Sequence, residues 1–223
     1  MPELPALVLD FGGPVLRTPF ELAVDEPPGV VRELFFEQGP LATEQRPDPM
    51  WADLRAGRLS EREYWNRKAR TWHDAVGISE PTVPAMFDTL YSPPGPHLVR
   101  PQAEALLTEA IEQGRRTAIL TNDMGAFHTQ EWIDGMEIIR RVDLMVDGSV
   151  EGVLKPDPRL YEALAHRLGV DFADMVFIDD QQHNIAGAEA LGIPSVWFDI
   201  TAPDEAFARA RHLMGLPEVA ARG

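Results

Sequence analysis

Four short apolar runs constrain this chain most: ALVLD at 6–10, TAILTND at 117–123, MVFIDD at 175–180 and SVWFD at 195–199. Each holds three or four consecutive apolar residues and ends on a polar or acidic residue, and none alternates with period two. That pattern marks strands covered on both faces, as in a parallel sheet between two layers of helices. Helical patterns lie between the runs, over 101–113 before Gly114, 158–168 before Gly169 and 183–191 before Gly192. Glycine just past the last apolar repeat is a helix stop. Strand and helix in repeated alternation predict a Rossmann-like, doubly wound α/β sheet whose ligands sit at the carboxyl ends of the strands. Those ends carry Asp10, Thr121 and Asp179.

The segment 17–97 interrupts the alternation. It is rich in Trp, Arg and Glu, is bounded by prolines and has no strand-like run. It reads as an inserted helical domain, with residues 1–16 and 98–223 forming the core. Its clearest helix is SEREYWNRKARTWHDAV at 60–76, where Ser60 and Glu63 have capping-box spacing and Tyr64, Ala69, Trp72 and Val76 suggest one apolar face. Trp65 and Trp72 are expected in the insert's own core, whereas Trp51 is a candidate for shaping a substrate lid. Proline clusters at 81–84 and 93–96 mark the expected return to the sheet.

The chain has 223 residues, enough for one large core plus a smaller inserted unit. Its formal charge of −16 and lack of a basic stripe argue against nucleic acid as a partner. No apolar run approaches the roughly 18 residues of a membrane span, so a membrane is not an expected partner either. MPELPALVLD reads as a first strand and not a secretory signal, and with zero cysteines the expectation is a cytoplasmic protein. Whether it works as a monomer or a homodimer is left open by the sequence.

Asp10 is followed by Phe11, Gly12, Gly13 and Pro14, so a carboxylate is presented next to a loop that a ligand can approach closely. Taken singly, each candidate also has a structural reading: Asp10 as a turn residue, Thr121-Asn122 as a helix cap, Lys155 before Pro156 as a surface lysine. Adjacent Asp179 and Asp180 repel each other unless a cation or lysine neutralises them. Together, a carboxylate nucleophile, hard oxygen ligands and phosphate-binding donors are the parts that phosphoryl transfer through a covalent intermediate requires.

Asp10-Phe11-Gly12-Gly13, Thr121-Asn122, Lys155-Pro156 and Asp179-Asp180 with Asn184 resemble the four ordered motifs of the haloacid dehalogenase-like superfamily. The insert lies where that family's C1 helical cap sits, and LRAGRLSEREYW is similar to a cap segment of its members. The likeness is to sugar-phosphate phosphatases and the N-terminal phosphatase domain of soluble epoxide hydrolases. The resemblance implies a Mg²⁺-dependent hydrolase of a small phosphorylated metabolite, working through an aspartyl-phosphate. It implies Asp10 as nucleophile and metal ligand, the Gly12 carbonyl and Asp180 as further ligands, and Asp179 beside the metal. It gives Thr121, Asn122 and Lys155 to the phosphate, with Lys155 also counted as catalytic.

Two residues after the nucleophile, most phosphatases of this superfamily have a second aspartate that moves the proton. This chain has Gly12, which cannot, and general acid–base help is worth about 10²–10⁴-fold. His128 and His183 are candidate substitutes, although both read first as ordinary surface or packing histidines, while His73, His97, His166 and His212 show no metal-binding spacing. Two rival readings follow: a metal-independent 2-haloacid dehalogenase, whose family position is tyrosine where Gly12 stands, or a slow or inactive phosphate-binding regulatory protein.

Overall fold

The computed structural model describes residues 4–23, 29–77 and 81–217. The four apolar runs form strands β1 Ala6–Leu9, β2 Thr117–Thr121, β4 Met175–Asp179 and β5 Ser195–Trp197, and β3 Leu144–Asp147 is a fifth. They make one parallel sheet in the order β3-β2-β1-β4-β5. The direction of winding reverses at β1, so the carboxyl ends of β1 and β4 flank the topological switch point where such sheets bind ligands. β3 is the strand the sequence reading did not pick out. Its first two residues are only half-buried and an Arg-Arg pair precedes it closely, so it lacks the continuous apolar run that marks the others.

Side chains alternate between two buried layers. Leu7, Leu9, Ile119, Val176 and Ile178 face one cluster, and Ala6, Val8, Ala118, Leu120 and Phe177 face the other. Helices supply both covers, which is why neither face of these strands tolerates polar alternation.

Between β1 and β2 come α1 Pro19–Leu22, α2 Val30–Phe35, α3 Pro49–Arg55, α4 Glu61–Val76 and α5 Val83–Leu90. α6 Pro101–Glu112 then leads into β2. After it lie α7 Met124–Phe127, α8 Gln130–Gly135, α9 Glu137–Arg141, α10 Gly148–Glu151, α11 Pro158–Leu168, α12 Gln182–Ala190 and α13 Pro203–Leu213. α6 and α13 cover the Leu7 face, and α11 and α12 the Ala6 face. Among the described residues no helix is long and apolar enough to cross a membrane.

Residues 17–97 form helices and 3-10 turns and, among the described residues, no strand. Tyr64, Trp65, Lys68, Ala69 and Trp72 make the buried stripe of α4. Val76, expected on that face, is 40% exposed because the stripe stops at Trp72 and the last turn runs on into solvent. The capping box at 60–63 is half-made: the Ser60 hydroxyl accepts from the Glu63 N–H, while the Glu63 carboxylate turns to Arg67. The proline cluster at 81–84 begins α5 instead of returning directly to the sheet, with Thr82 as its cap. Asp48 organises the interior of this region. It accepts from the N–H groups of Gly39 and Trp51 and from the Tyr64 hydroxyl, with the Lys68 ammonium 3.7 Å away. Burial would raise its carboxyl, but these donors and Lys68 outweigh it and hold Asp48 below its ordinary range.

The two passes of chain that connect this region to the sheet run side by side. Arg17 donates its N–H to Leu98 O, Arg100 donates its own to Val15 O, and Leu16 and Val99 form an antiparallel bridge. The Arg100 guanidinium pins the junction, donating to Gly13 O at 3.0 Å and forming a two-pronged pair with Glu21. Such bidentate geometry fixes orientation as well as charge.

Candidate active site

Parallel pairing sets the geometry. Leu9 is in register with Ile119 of β2 and Ile178 of β4, so the next residues of β1 and β4, Asp10 and Asp179, emerge level at the sheet edge. The Asp10 N–H is tied to Ile178 O at 2.8 Å. Lys155 comes in from the loop between α10 and α11 and is 4% exposed. Its ammonium donates to Asp10 Oδ1 at 2.7 Å, Asp179 Oδ2 at 2.6 Å and Leu120 O at 2.8 Å, so all three of its protons are used. Burial alone would lower this ammonium, but Asp10 and Asp179 outweigh it and raise it above its ordinary value.

Asn122 fixes the lysine by its backbone. Its Oδ1 accepts the Lys155 N–H at 2.7 Å and its Nδ2 donates to Lys155 O at 3.3 Å. The Asn122 side chain is therefore committed to Lys155, leaving the main chain of this loop to face a ligand. Thr121 is buried, and its residue lines the same cavity as Asp10, Gly12, Asn122, Lys155 and Asp180. The structure thus brings Asp10, Gly12, Thr121, Asn122, Lys155 and Asp180 to one corner, with Asp179 joined to it through Lys155.

The two adjacent aspartates differ in their surroundings. Asp179 is fully buried and saturated: besides Lys155 it accepts from the Gln181 N–H and from Asn184 Nδ2. The Asp180 carboxylate has no hydrogen bond or ion pair among the described residues, although its main-chain oxygen accepts from Trp197 Nε1 at 2.9 Å. Burial, with Asp179 and Asp10 alongside, pushes the Asp180 carboxyl far above its ordinary range. Burial likewise lifts Asp10 to about 7, against the pull of Lys155 and with the push of Asp179. Gly13, at φ +90, is required here, since a Cβ would meet the Asp180 side chain at 3.3 Å. At Gly12 a Cβ would only touch Asp10 Oδ2 at an ordinary 3.9 Å.

One carboxylate oxygen each from Asp10, Asp179 and Asp180 lie within 4.8 Å of one another. Asn184, which lines the same cavity, has its Oδ1 buried without a partner. Two raised carboxyls, a hard all-oxygen donor set and an unpartnered acceptor fit a divalent cation of the Mg²⁺ type.

Beyond this corner the cavity is walled by aromatic residues, including Phe20, Trp51, Trp65, Phe87 and Tyr91, with Arg55 among the few cations. Trp65 is thus both buried in the helical region and part of the wall, and Trp51 lies in the wall as the sequence suggested. Neither histidine candidate suits proton donation. His128 stacks on Trp132, with centroids 3.9 Å apart, and burial lowers its imidazole to about 3, so it is neutral and packed. His183 is exposed on α12 and does not line the cavity.

Sequence reasoning missed Glu61, Asp123 and Arg62. Glu61 opens α4, lines the cavity and accepts from Trp65 Nε1 at 3.4 Å. Burial, with Asp123 and Asp179 nearby, raises its carboxyl to about 7. Arg62 pairs with Asp123 of the loop after β2, so the start of α4 is bound to the motif loop. An acid in a first helical turn ordinarily reads as favouring the helix dipole, which hid Glu61.

A sequence profile described as haloacid dehalogenase-like hydrolase matches residues 28–192. The chain is 27% identical over 223 residues to acyl-CoA dehydrogenase family member 10 of Mus musculus, covering 95% of this chain and 19% of that protein. It is 30% identical over 99 residues to phosphatase MT3486 of Mycobacterium tuberculosis, covering 44% of this chain and 46% of that protein. The chain thus spans less than half the length of either curated relative. The L-2-haloacid dehalogenase of Xanthobacter autotrophicus shares the fold with a TM-score of 0.55 at 20% identity, over 87% of this chain and 77% of that one.

Proposed function

Since the chain belongs to the haloacid dehalogenase-like hydrolases, we propose that it is a Mg²⁺-dependent phosphomonoester hydrolase working through an Asp10 aspartyl-phosphate. Residues 1–16 and 98–223 act as the core and 17–97 as a helical cap that selects the substrate and excludes water. The single observation that carries this reading is the Lys155 ammonium bridging Asp10 and Asp179 beside the unpaired Asp180 carboxylate.

Asp10 offers one oxygen to phosphorus while Lys155 orients it and offsets charge on the phosphoryl oxygens. Thr121 and the main chain at Asn122 bind further phosphoryl oxygens. Asp10, Asp180 and the Gly12 carbonyl would hold Mg²⁺, with Asp179 beside it anchoring Lys155. The cation supplies electrostatic stabilisation of the developing charge. The aromatic wall favours a metabolite whose leaving group has an apolar body over a polyhydroxylated sugar, because sugar hydroxyls there would lose hydrogen bonds to water without replacement.

The test is a magnesium-supplemented screen of phosphorylated metabolites with Asp10→Asn as control. Hydrolysis that needs magnesium and is lost in Asp10→Asn supports the reading; wild-type rates in Asp10→Asn overturn it. Chelation with EDTA separates the alternatives. A haloacid dehalogenase would be indifferent to it, and a regulatory protein would bind phosphate analogues without turning over any ester.

A further inference from the structure

Gly12 leaves a phosphatase without its usual proton carrier, and the cavity contains another carboxyl. We propose that Glu61, contributed by the helical insert, is the general acid and base of the reaction. This rests on the hydrolase reading above.

Five carboxyls line the cavity: Asp10, Glu61, Asp123, Asp180 and Asp199. Asp10 and Asp180 belong to the nucleophile and cation positions. Asp123 is paired with Arg62, and Asp199 Oδ1 accepts from the N–H and hydroxyl of Thr201. Glu61 alone is uncommitted. Among the described residues its one hydrogen bond is the long contact from Trp65 Nε1.

Its position is also the right one. Glu61 contacts the aromatic wall through Trp65, and its carboxyl feels the charges of Asp123, Asp179 and Lys155 in the polar corner. Glu61 therefore lines the cavity between Trp65 of the aromatic wall and the loop after β2, to which Arg62 ties its turn of helix. The adjoining Arg62–Asp123 pair holds this turn of α4 against the loop that carries Thr121 and Asn122. Burial keeps part of the Glu61 population protonated near neutral pH, as a general acid needs.

In the first step Asp10 forms a bond to phosphorus, the ester P–O bond breaks with its electron pair passing to the leaving oxygen, and that oxygen takes the Glu61 proton to leave as an alcohol. In the second step the Glu61 carboxylate takes a proton from water as the water oxygen bonds to phosphorus. The Asp10–phosphorus bond breaks, and inorganic phosphate leaves with Glu61 protonated again.

Leaving-group chemistry tests this. 4-Nitrophenolate departs without a proton, whereas an alkoxide needs one. With magnesium present, Glu61→Gln should release about one nitrophenolate per enzyme from 4-nitrophenyl phosphate in a rapid burst and then turn over slowly. The same variant should hydrolyse an alkyl phosphate such as hexyl phosphate about 10²-fold or more slowly than wild type, with no burst of alcohol. Adding Gly12→Asp, for which the backbone has room, should restore alkyl-ester turnover to Glu61→Gln. Glu61→Asp, with a carboxyl on a shorter stem, should retain more alkyl-ester activity than Glu61→Gln and serves if the amide variant folds poorly. Equal slowing of both esters without a burst, or no slowing of either, overturns the assignment of Glu61 and leaves the hydrolase reading standing. If the wild-type protein hydrolyses neither ester nor any other phosphate, the hydrolase reading falls first.

Discussion

The polar corner at the sheet edge and the aromatic wall above it meet in one cavity but are built by opposite means. In the corner each group is fixed by a neighbour a bond or two away: strand register places Asp10 and Asp179, and Asn122 grips the Lys155 backbone. The wall is assembled from helices distant in sequence, where Phe20 meets Trp51 edge-on and Trp65 at a tilt. Chemistry is therefore expected to depend on the corner, and preference among esters on the wall.

Asp10→Asn should break the corner most severely, lowering kcat by about 10⁴-fold or more while leaving the far-UV circular dichroism unchanged. Comparable residual activity would mean that the nucleophile lies elsewhere. Lys155→Met should remove both activity and stability. It leaves the buried Asp10 and Asp179 without their cation, at a cost of about 3–5 kcal/mol readable in the urea midpoint. On the wall, Trp51→Ala should raise KM for apolar esters by about tenfold with kcat nearly unchanged. A uniform fall in kcat for every ester would erase the division between wall and corner.

The last effect is on stability alone, is smallest near neutral pH, and grows only as the solution is acidified. His128 is lowered in the fold from its ordinary 6.5 to about 3, so between these values the unfolded chain binds more protons. Its contribution to stability is complete above 6.5 and is lost as pH falls toward 3, with a slope of at most about 1.4 kcal/mol per pH unit. His128→Phe keeps a ring against Trp132 and should flatten that part of a pH series of thermal melts relative to wild type.

The same division explains what was legible in the sequence. Asp10, Thr121, Lys155 and Asp179 could be read because each closes or follows an apolar run or a glycine turn, and a doubly wound sheet brings such ends together. β3 was missed because half of it is incompletely buried. Glu61 and the Asp48 network could not be read, since their partners are set by how the insert folds over the sheet and not by spacing along the chain. The sequence left His128 between proton carrier and packing residue for the same reason, and the packed structure decides for the second by stacking it on Trp132.

The neighbouring passes at Leu16 and Val99, clasped by Arg100, make the insert separable from the strand pairing beneath it. Everything between them is a loop whose two ends already touch. Another excursion with ends equally close, shorter or longer, could be spliced in at the same place without shifting one residue of strand pairing. A replacement insert would thus change what sits over the sheet edge while leaving the residues at that edge in place.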